Sequence, residues 1–298
     1  MQKNNVRAAI LIVVAMALIT TNDAIFKFMS SELGVGQIIF VRGVLVCGLF
    51  AIVLKATRQP IVSRQTFHRW NMLRALFVLG ASLSYLTGLS MLSLATTSTL
   101  AISSPIILAV LAALALRERV GVLRWLLVFI GFCGVVLIIN PIGESFHWAV
   151  ILPMICAVLA ALRDLAVRFV PDEIPAMQIA FTHAWVVTLG GLAMAYFEGM
   201  APMSWDLAPW FLLQAALVFG GYLCMVQGVR IGELSYVAPF KYTGVPIAFI
   251  LGYLVWDDGV TLNMLLGAAV IVTSGIVLVT TENRRTRRAA MEKGQEWR

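Results

Sequence analysis

Eight polar or aromatic side chains stand inside long apolar runs of this sequence: Asp23, Arg42, Tyr85, Gln178, His183, Trp185, Lys241 and Tyr242. Within a hydrocarbon environment each is expensive and needs a reason. Lys241 lies in Pro239-Phe240-Lys241-Tyr242-Thr243-Gly244-Val245-Pro246. The two prolines free backbone carbonyls and bend a helix. A cation there attracts a substrate carboxylate, or else forms a structural ion pair or snorkels. Arg42 suits bidentate binding of a carboxylate, or snorkels to the interface. An imidazole such as His183 can take up and release a proton, although a lone His is more often a packing residue. Asp23, next to Asn22, can bind a substrate ammonium or carry a coupling proton. It can equally pair with Lys27 one helical turn on, and that pairing is the favoured reading. Gln37 and Gln178 sit near the starts of two apolar runs. Trp185, Tyr85, Tyr222 and Tyr242 are aromatic walls for an aromatic or apolar amino acid, or for a cationic drug. Packing between helices is the plainer role for each. The run Thr96, Thr97, Ser98, Thr99, Ser103 and Ser104 offers small residues for close helix approach, or polar groups along a pathway.

Enzymatic chemistry finds little support. His68, His147 and His183 fall in two loops and one apolar run, and there is no nucleophile–base pair, metal cluster or nucleotide-binding Walker pattern. Cys47, Cys133, Cys156 and Cys224 share no metal-ligand spacing and read as reduced, buried thiols. No cofactor, metal or disulfide is expected.

These residues must be positioned by membrane spans. Of the 298 residues 60% are hydrophobic and 12% charged, against roughly 25% charged in a soluble domain. A span needs roughly 20 apolar residues. Ten candidates follow one another: 7–28, 36–54, 71–91, 95–116, 122–140, 147–167, 175–197, 208–228, 234–255 and 262–281. The first has a basic start resembling a signal peptide, but no small-residue cleavage motif follows it, and it reads as a retained span. With ten spans both termini share a side. That side collects 19 of the 22 Lys and Arg, whereas the opposite loops hold Glu32, Glu144, Glu198, Asp206, Asp257 and Asp258. The positive-inside rule then places both termini in the cytoplasm and accounts for the net charge of +7 without nucleic acid. Trp70, Trp125, Trp148, Trp205, Trp210 and Trp256 fall at span ends, where indoles prefer the interface. Trp185 falls in the middle of one.

A shift of 141 residues lays Asp23 on Asp164, Lys27 on Arg168, Gln37 on Gln178, Phe40 on Phe181, Arg42 on His183, Pro105 on Pro246 and Gly134 on Gly275. Each copy holds five spans, an odd number, so the second starts on the opposite side. The expected fold is an all-α membrane protein of ten transmembrane helices in two inverted-topology five-helix repeats. Residues 1–141 form the first repeat, 142–282 the second, and 283–298 a basic cytoplasmic tail. Such repeats are a signature of secondary transporters.

The chain resembles the drug/metabolite transporter superfamily, in its ten-helix EamA-type branch. The resemblance rests on Leu94-Ala95-Thr96-Thr97-Ser98-Thr99 followed by Ser104-Pro105, on Leu116-Arg117-Glu118-Arg119, and on Gly134. The second copy reads Leu234-Ser235-Tyr236-Val237-Ala238-Pro239, then Val245-Pro246, then Gly275. It departs from the pattern at Trp256-Asp257-Asp258, where a Gly-Glu pair is common. The resemblance implies transport across the inner membrane of a prokaryote, often export of amino acids or metabolites. Within that branch the chain is similar to aromatic amino-acid exporters, which implies an aromatic or neutral amino acid as the expected substrate. The partners expected are a small-molecule substrate, the lipid bilayer and, as a candidate coupling ion, the proton. The protein is expected to act as a monomer.

Overall fold

A computed structural model describes residues 5–58, 60, 67–115, 122–140, 147–166, 169, 174–231 and 238–295. In chain order the helices are α1 (Asn5–Met29), α2 (Val35–Ala56), α3 (Arg69–Met91), α4 (Leu94–Ala101), α5 (Ser104–Ala115) and α6 (Val122–Ile139). There follow α7 (Ile151–Ala166), α8 (Ala176–Glu198), α9 (Ala208–Ile231), α10 (Gly244–Trp256) and α11 (Leu262–Gln295). Short 3-10 segments lead into three of them: Trp148–Val150, Trp205–Leu207 and Ala238–Thr243. No strand occurs among the described residues.

Among the described residues six helical segments are long and apolar enough to cross a bilayer. Four shorter apolar ones, Leu94–Leu108, Trp125–Ile139, Phe240–Trp256 and Leu262–Val277, accompany them. Their outward faces are apolar too. Val122 is 86% exposed, Phe129 68% and Phe197 86%. Water does not tolerate so many bare hydrocarbon faces on one monomer, whereas lipid does. The chain is therefore a multi-pass membrane protein.

Two elements differ from the sequence expectation. The run 95–116 is two helices, because α4 ends at Ala101 and α5 begins at Ser104. Pro105 has no N–H to donate and its ring collides with the carbonyl four residues earlier. The chain turns instead, with the Ser103 hydroxyl donating to the Leu100 carbonyl at 2.6 Å. Its repeat counterpart behaves alike: the 3-10 segment Ala238–Thr243 gives way to α10 two residues before Pro246. The second difference lies at the end. Instead of stopping near 281, α11 continues to Gln295, through a stretch rich in Glu, Arg, Ala and Lys with no proline to halt it.

The core forms where glycines let backbones meet. A Cβ on Gly36 would strike the backbone of Met194 and Ala195, and one on Gly191 would lie 2.9 Å from the Phe40 nitrogen. Farther along, Gly43 faces Thr188. Rising numbers in α2 meet falling numbers in α8, so the two helices pack antiparallel. The other principal helix pairs are α1 with α9, α3 with α7, and α6 with α11. The largest cluster of buried side chains gathers Phe26, Met29, Ile38, Ile39, Leu89, Leu94 and Phe211.

Candidate functional site

A cavity of about 440 Å³ lies between α1, α2, α3, α4, α5, α7, α9 and α10. That size is typical of small-molecule sites. Its polar wall is a connected chain of hydrogen bonds. The Tyr85 hydroxyl donates to Asp23 Oδ2 at 2.9 Å and lies 3.1 Å from the Ser98 hydroxyl. Asn22 Nδ2 donates to Asp23 Oδ1 at 3.1 Å. Arg42 Nη1 donates to Asn22 Oδ1 at 3.4 Å, and its guanidinium sits 5.9 Å above the Phe26 ring. Four helices, α1 to α4, supply these groups. The break before Pro105 brings Ala101, Ile102 and Ser104 into the wall, and the corresponding break brings in Gly244 and Val245. Arg163 of α7 also lines the cavity, with its Nε 2.8 Å from Asp164 Oδ1.

A smaller cavity of about 190 Å³ shares Arg42, Ser82 and Val218 with the first. It is mostly apolar, bounded by Ile39, Val46, Phe50, Ala180, Val187 and Tyr222, with His183 as its second basic group. Arg74 donates a hydrogen bond to His183 Nε2, which requires that nitrogen to be unprotonated.

The expected site residues divide. Asp23, Tyr85 and Arg42 come together in the larger cavity, and His183 with Arg42 in the smaller. The favoured Asp23–Lys27 pair does not form. Lys27 reaches toward the helix end, donates to the Leu92 carbonyl at 2.9 Å and meets Asp258 Oδ2 at 3.6 Å. It also lies 5.0 Å from the Trp256 ring centre. Asp23 turns instead to Tyr85 and Asn22. Gln178 lines neither cavity; its Nε2 donates to the Pro60 carbonyl at 3.1 Å. Its counterpart Gln37 holds Ala201 through two bonds of 2.9 Å. Pro60 and Ala201 stand at the same 141-residue offset as the two glutamines. Trp185 packs on Phe67, with ring centres 6.3 Å apart. Tyr242 is buried and its hydroxyl presses on Gly275, where a Cβ would collide with it. Lys241 stands in the 3-10 segment before α10 and lines neither of these two cavities. In the Thr/Ser run, Ser98 and Ser104 face the cavity, whereas Thr97 and Thr99 bond to carbonyls of Ser93 and Ala95. Arg168, the motif Leu116–Arg119 and residues 234–237 of the second-copy motif lie outside the described residues.

Ser82 and Arg163 are cavity residues that the sequence reading passed over. For Arg163 a signal existed: the 141-residue shift lays Asn22-Asp23 on Arg163-Asp164. If one pair faces the pathway, the other has reason to face it too.

Comparison with known proteins agrees with this architecture. The EamA-like transporter family matches residues 6–140 and again 147–281. A riboflavin transporter of Rhizobium johnstonii is 26% identical over 245 residues, covering 78% of each chain. An S-adenosylmethionine uptake transporter of Rickettsia conorii is 23% identical over 274 residues, 90% of this chain and 91% of that one. A pseudopaline exporter of Pseudomonas aeruginosa is 25% identical over 278 residues, 92% and 96% of the two chains. A solved crystal structure matches with a TM-score of 0.60 at 17% identity, covering 93% of this chain and 98% of the other, and it speaks for the fold alone. With both halves matched by one family, the chain belongs to the EamA-like transporters of the drug/metabolite transporter superfamily.

Proposed function

We propose that this protein is a secondary transporter that exports amino acids across the inner membrane of a bacterium by alternating access. The observation that carries the reading is the 440 Å³ cavity, with Asp23 held in a net of Asn22, Tyr85, Ser98 and Arg42. Its carboxylate is the natural partner of a substrate ammonium. This net, on α1 to α4 of the first half, faces α7, α9 and α10 of the second across the cavity, so a small shift of one half against the other remakes the wall.

Several features support ten spans in two inverted halves. Antiparallel α2 and α8 are counterparts at the 141-residue offset. The same offset exchanges the pairs α1–α9 and α7–α3. In the smaller cavity Ile39 and Ala180, Arg42 and His183, Gly43 and Ala184, and Val46 and Val187 are all counterparts. A cavity lined by like positions of both halves is what rocking about a shared axis needs. Broken fourth spans in both halves supply irregular backbone at the cavity, a recurring feature of such carriers. The side bearing most Lys and Arg is read as cytoplasmic, with the chain acting as a monomer.

The aromatic restriction has less behind it, because Trp185 and Tyr242 line neither cavity and only Tyr85 and Tyr222 remain. The proposal is therefore for amino acids as a class. Relatives named as an uptake transporter and as an exporter leave the direction of flux to experiment. Efflux of cationic drugs is disfavoured by Arg42 and Arg163 in the same wall.

A ligand screen in nanodiscs tests the reading. A ligand that binds only the folded state stabilises it by about 2.7 kcal/mol at a hundredfold excess over its Kd. At least one amino acid should raise the melting temperature of the native protein and leave Asp23→Ala unmoved. A panel of all amino acids that shifts neither protein would contradict the proposal.

A further inference from the structure

The two cavities meet at one wall and differ in chemistry. Arg42, Ser82 and Val218 line both. On one side of that wall lies the hydrogen-bonded net of Asp23, Asn22, Tyr85 and Ser98. On the other, α2 supplies Ile39, Val46 and Phe50, and α8 supplies Ala180, Ala184 and Val187. Phe50 meets the Tyr222 ring edge-on, with 5.4 Å between ring centres, so part of this wall is aromatic.

The two basic groups of the smaller cavity are engaged elsewhere. Arg42 donates to Asn22 in the larger cavity and lies over the Phe26 ring. His183 Nε2 accepts from Arg74. Packed protein interiors hold few cavities larger than a water molecule. Water is a poor filler for an apolar one, whereas an apolar cavity of about 150 Å³ takes up benzene. At about 190 Å³ the smaller cavity has room for one ring or one branched hydrocarbon side chain. Its width is fixed by backbone contact, since Gly36 and Gly191 bring α2 and α8 together against the chain at Met194, Ala195 and Phe40.

We infer that the smaller cavity is the side-chain pocket for the solute, and that it selects amino acids with one large apolar side chain. This rests on the amino-acid reading and names the substrate class within it. An amino acid divides as the two cavities do. Its ammonium pairs with Asp23, its carboxylate meets Arg42 at the shared wall, and its side chain passes Ser82 and Val218 into the hydrocarbon-lined space. A polar side chain of the same length gives up water there without a matching partner and loses affinity. A cationic one also meets the like charge of Arg42. The residues that set the size limit face each other across the pocket: Val46 on α2, and Ala180, Ala184 and Val187 on α8.

The test is binding to the full-length protein in nanodiscs, by calorimetry, of L-leucine, L-phenylalanine, L-glutamine and L-alanine. Each buried methylene is worth about fourfold in affinity. Leucine and phenylalanine should therefore bind at least about tenfold more tightly than alanine, and glutamine no more tightly than alanine. Ala184→Leu and Val187→Phe each add atoms to the pocket wall. Each should cut the leucine-to-alanine ratio to less than about threefold while alanine still binds. The native ranking decides the class of side chain, and the variants, checked for native-like unfolding, decide its place. Alanine or glutamine binding as tightly as leucine to the native protein would overturn the inference and leave amino-acid transport standing. A leucine preference undiminished in a folded variant would overturn the assignment of this pocket. If none of the four binds, the inference fails, and the full amino-acid panel decides the reading on which it rests.

Discussion

Asp23 takes its hydrogen bonds from Tyr85 and Asn22, so its two oxygens are fixed in place before any solute arrives. Asp23→Asn keeps shape and most of the bonding but removes the charge. It should weaken binding of the amino acid found to shift the melting temperature by about tenfold or more, read by calorimetry. Tyr85→Phe leaves the carboxylate charged and frees one lone pair, so its loss should be smaller than that of Asp23→Asn. Asp23, Arg42 and Tyr85 were recognisable in sequence because polar groups in apolar runs are rare. Their partners were not. The i to i+4 spacing of Asp23 and Lys27 is a good ion-pair signal on an isolated helix. It failed because Lys27 had better company across the bundle, in the Leu92 carbonyl and Asp258. Lys241 shows a related failure: linear depth in a run does not say which way a side chain points once the helix has become 3-10.

At the level of elements the crossing of α2 and α8 carries the most specific packing. A Cβ on Gly36 would strike the Ala195 backbone nitrogen of α8, so a side chain there has no flexible neighbour to push aside. Gly36→Val should destabilise the protein by about 1–3 kcal/mol through overpacking, checked by thermal unfolding in detergent. Gln37 and Gln178 tie each of these helices to the loop that follows the other. Gln37→Leu strands the Ala201 N–H and carbonyl, at a cost of about 1–3 kcal/mol, and Gln178→Leu should lower stability as well. Helix existence was plain from apolar runs of about 20 residues. The break in the fourth span was announced by Ser104-Pro105, yet apolar residues on both sides concealed it. The long α11 was concealed in the opposite way, since hydropathy ends near residue 281 while helix propensity does not.

For the molecule as a whole, the distribution of Lys and Arg predicts both termini on the cytoplasmic side. A fluorescent protein fused to the C-terminus should fluoresce, and a phosphatase fused there should stay inactive; the reverse pattern would overturn the assigned orientation. The repeat was the most informative thing in the sequence, because a shared offset survives where single apolar matches mean little. It paired Arg42 with His183 and Gln37 with Gln178 before their surroundings were known. It could not say that one pair would face cavities and the other would lock loops, since that depends on helix rotation in the packed bundle. In the proposed function Asp23 and its net form the pathway of an amino-acid carrier. Counterflow in proteoliposomes tests this most directly. Vesicles loaded with an unlabelled amino acid should accumulate the labelled one through the native protein and fail to do so through folded Asp23→Ala. Counterflow of no amino acid by the native protein, or equal counterflow by both proteins, would contradict the account.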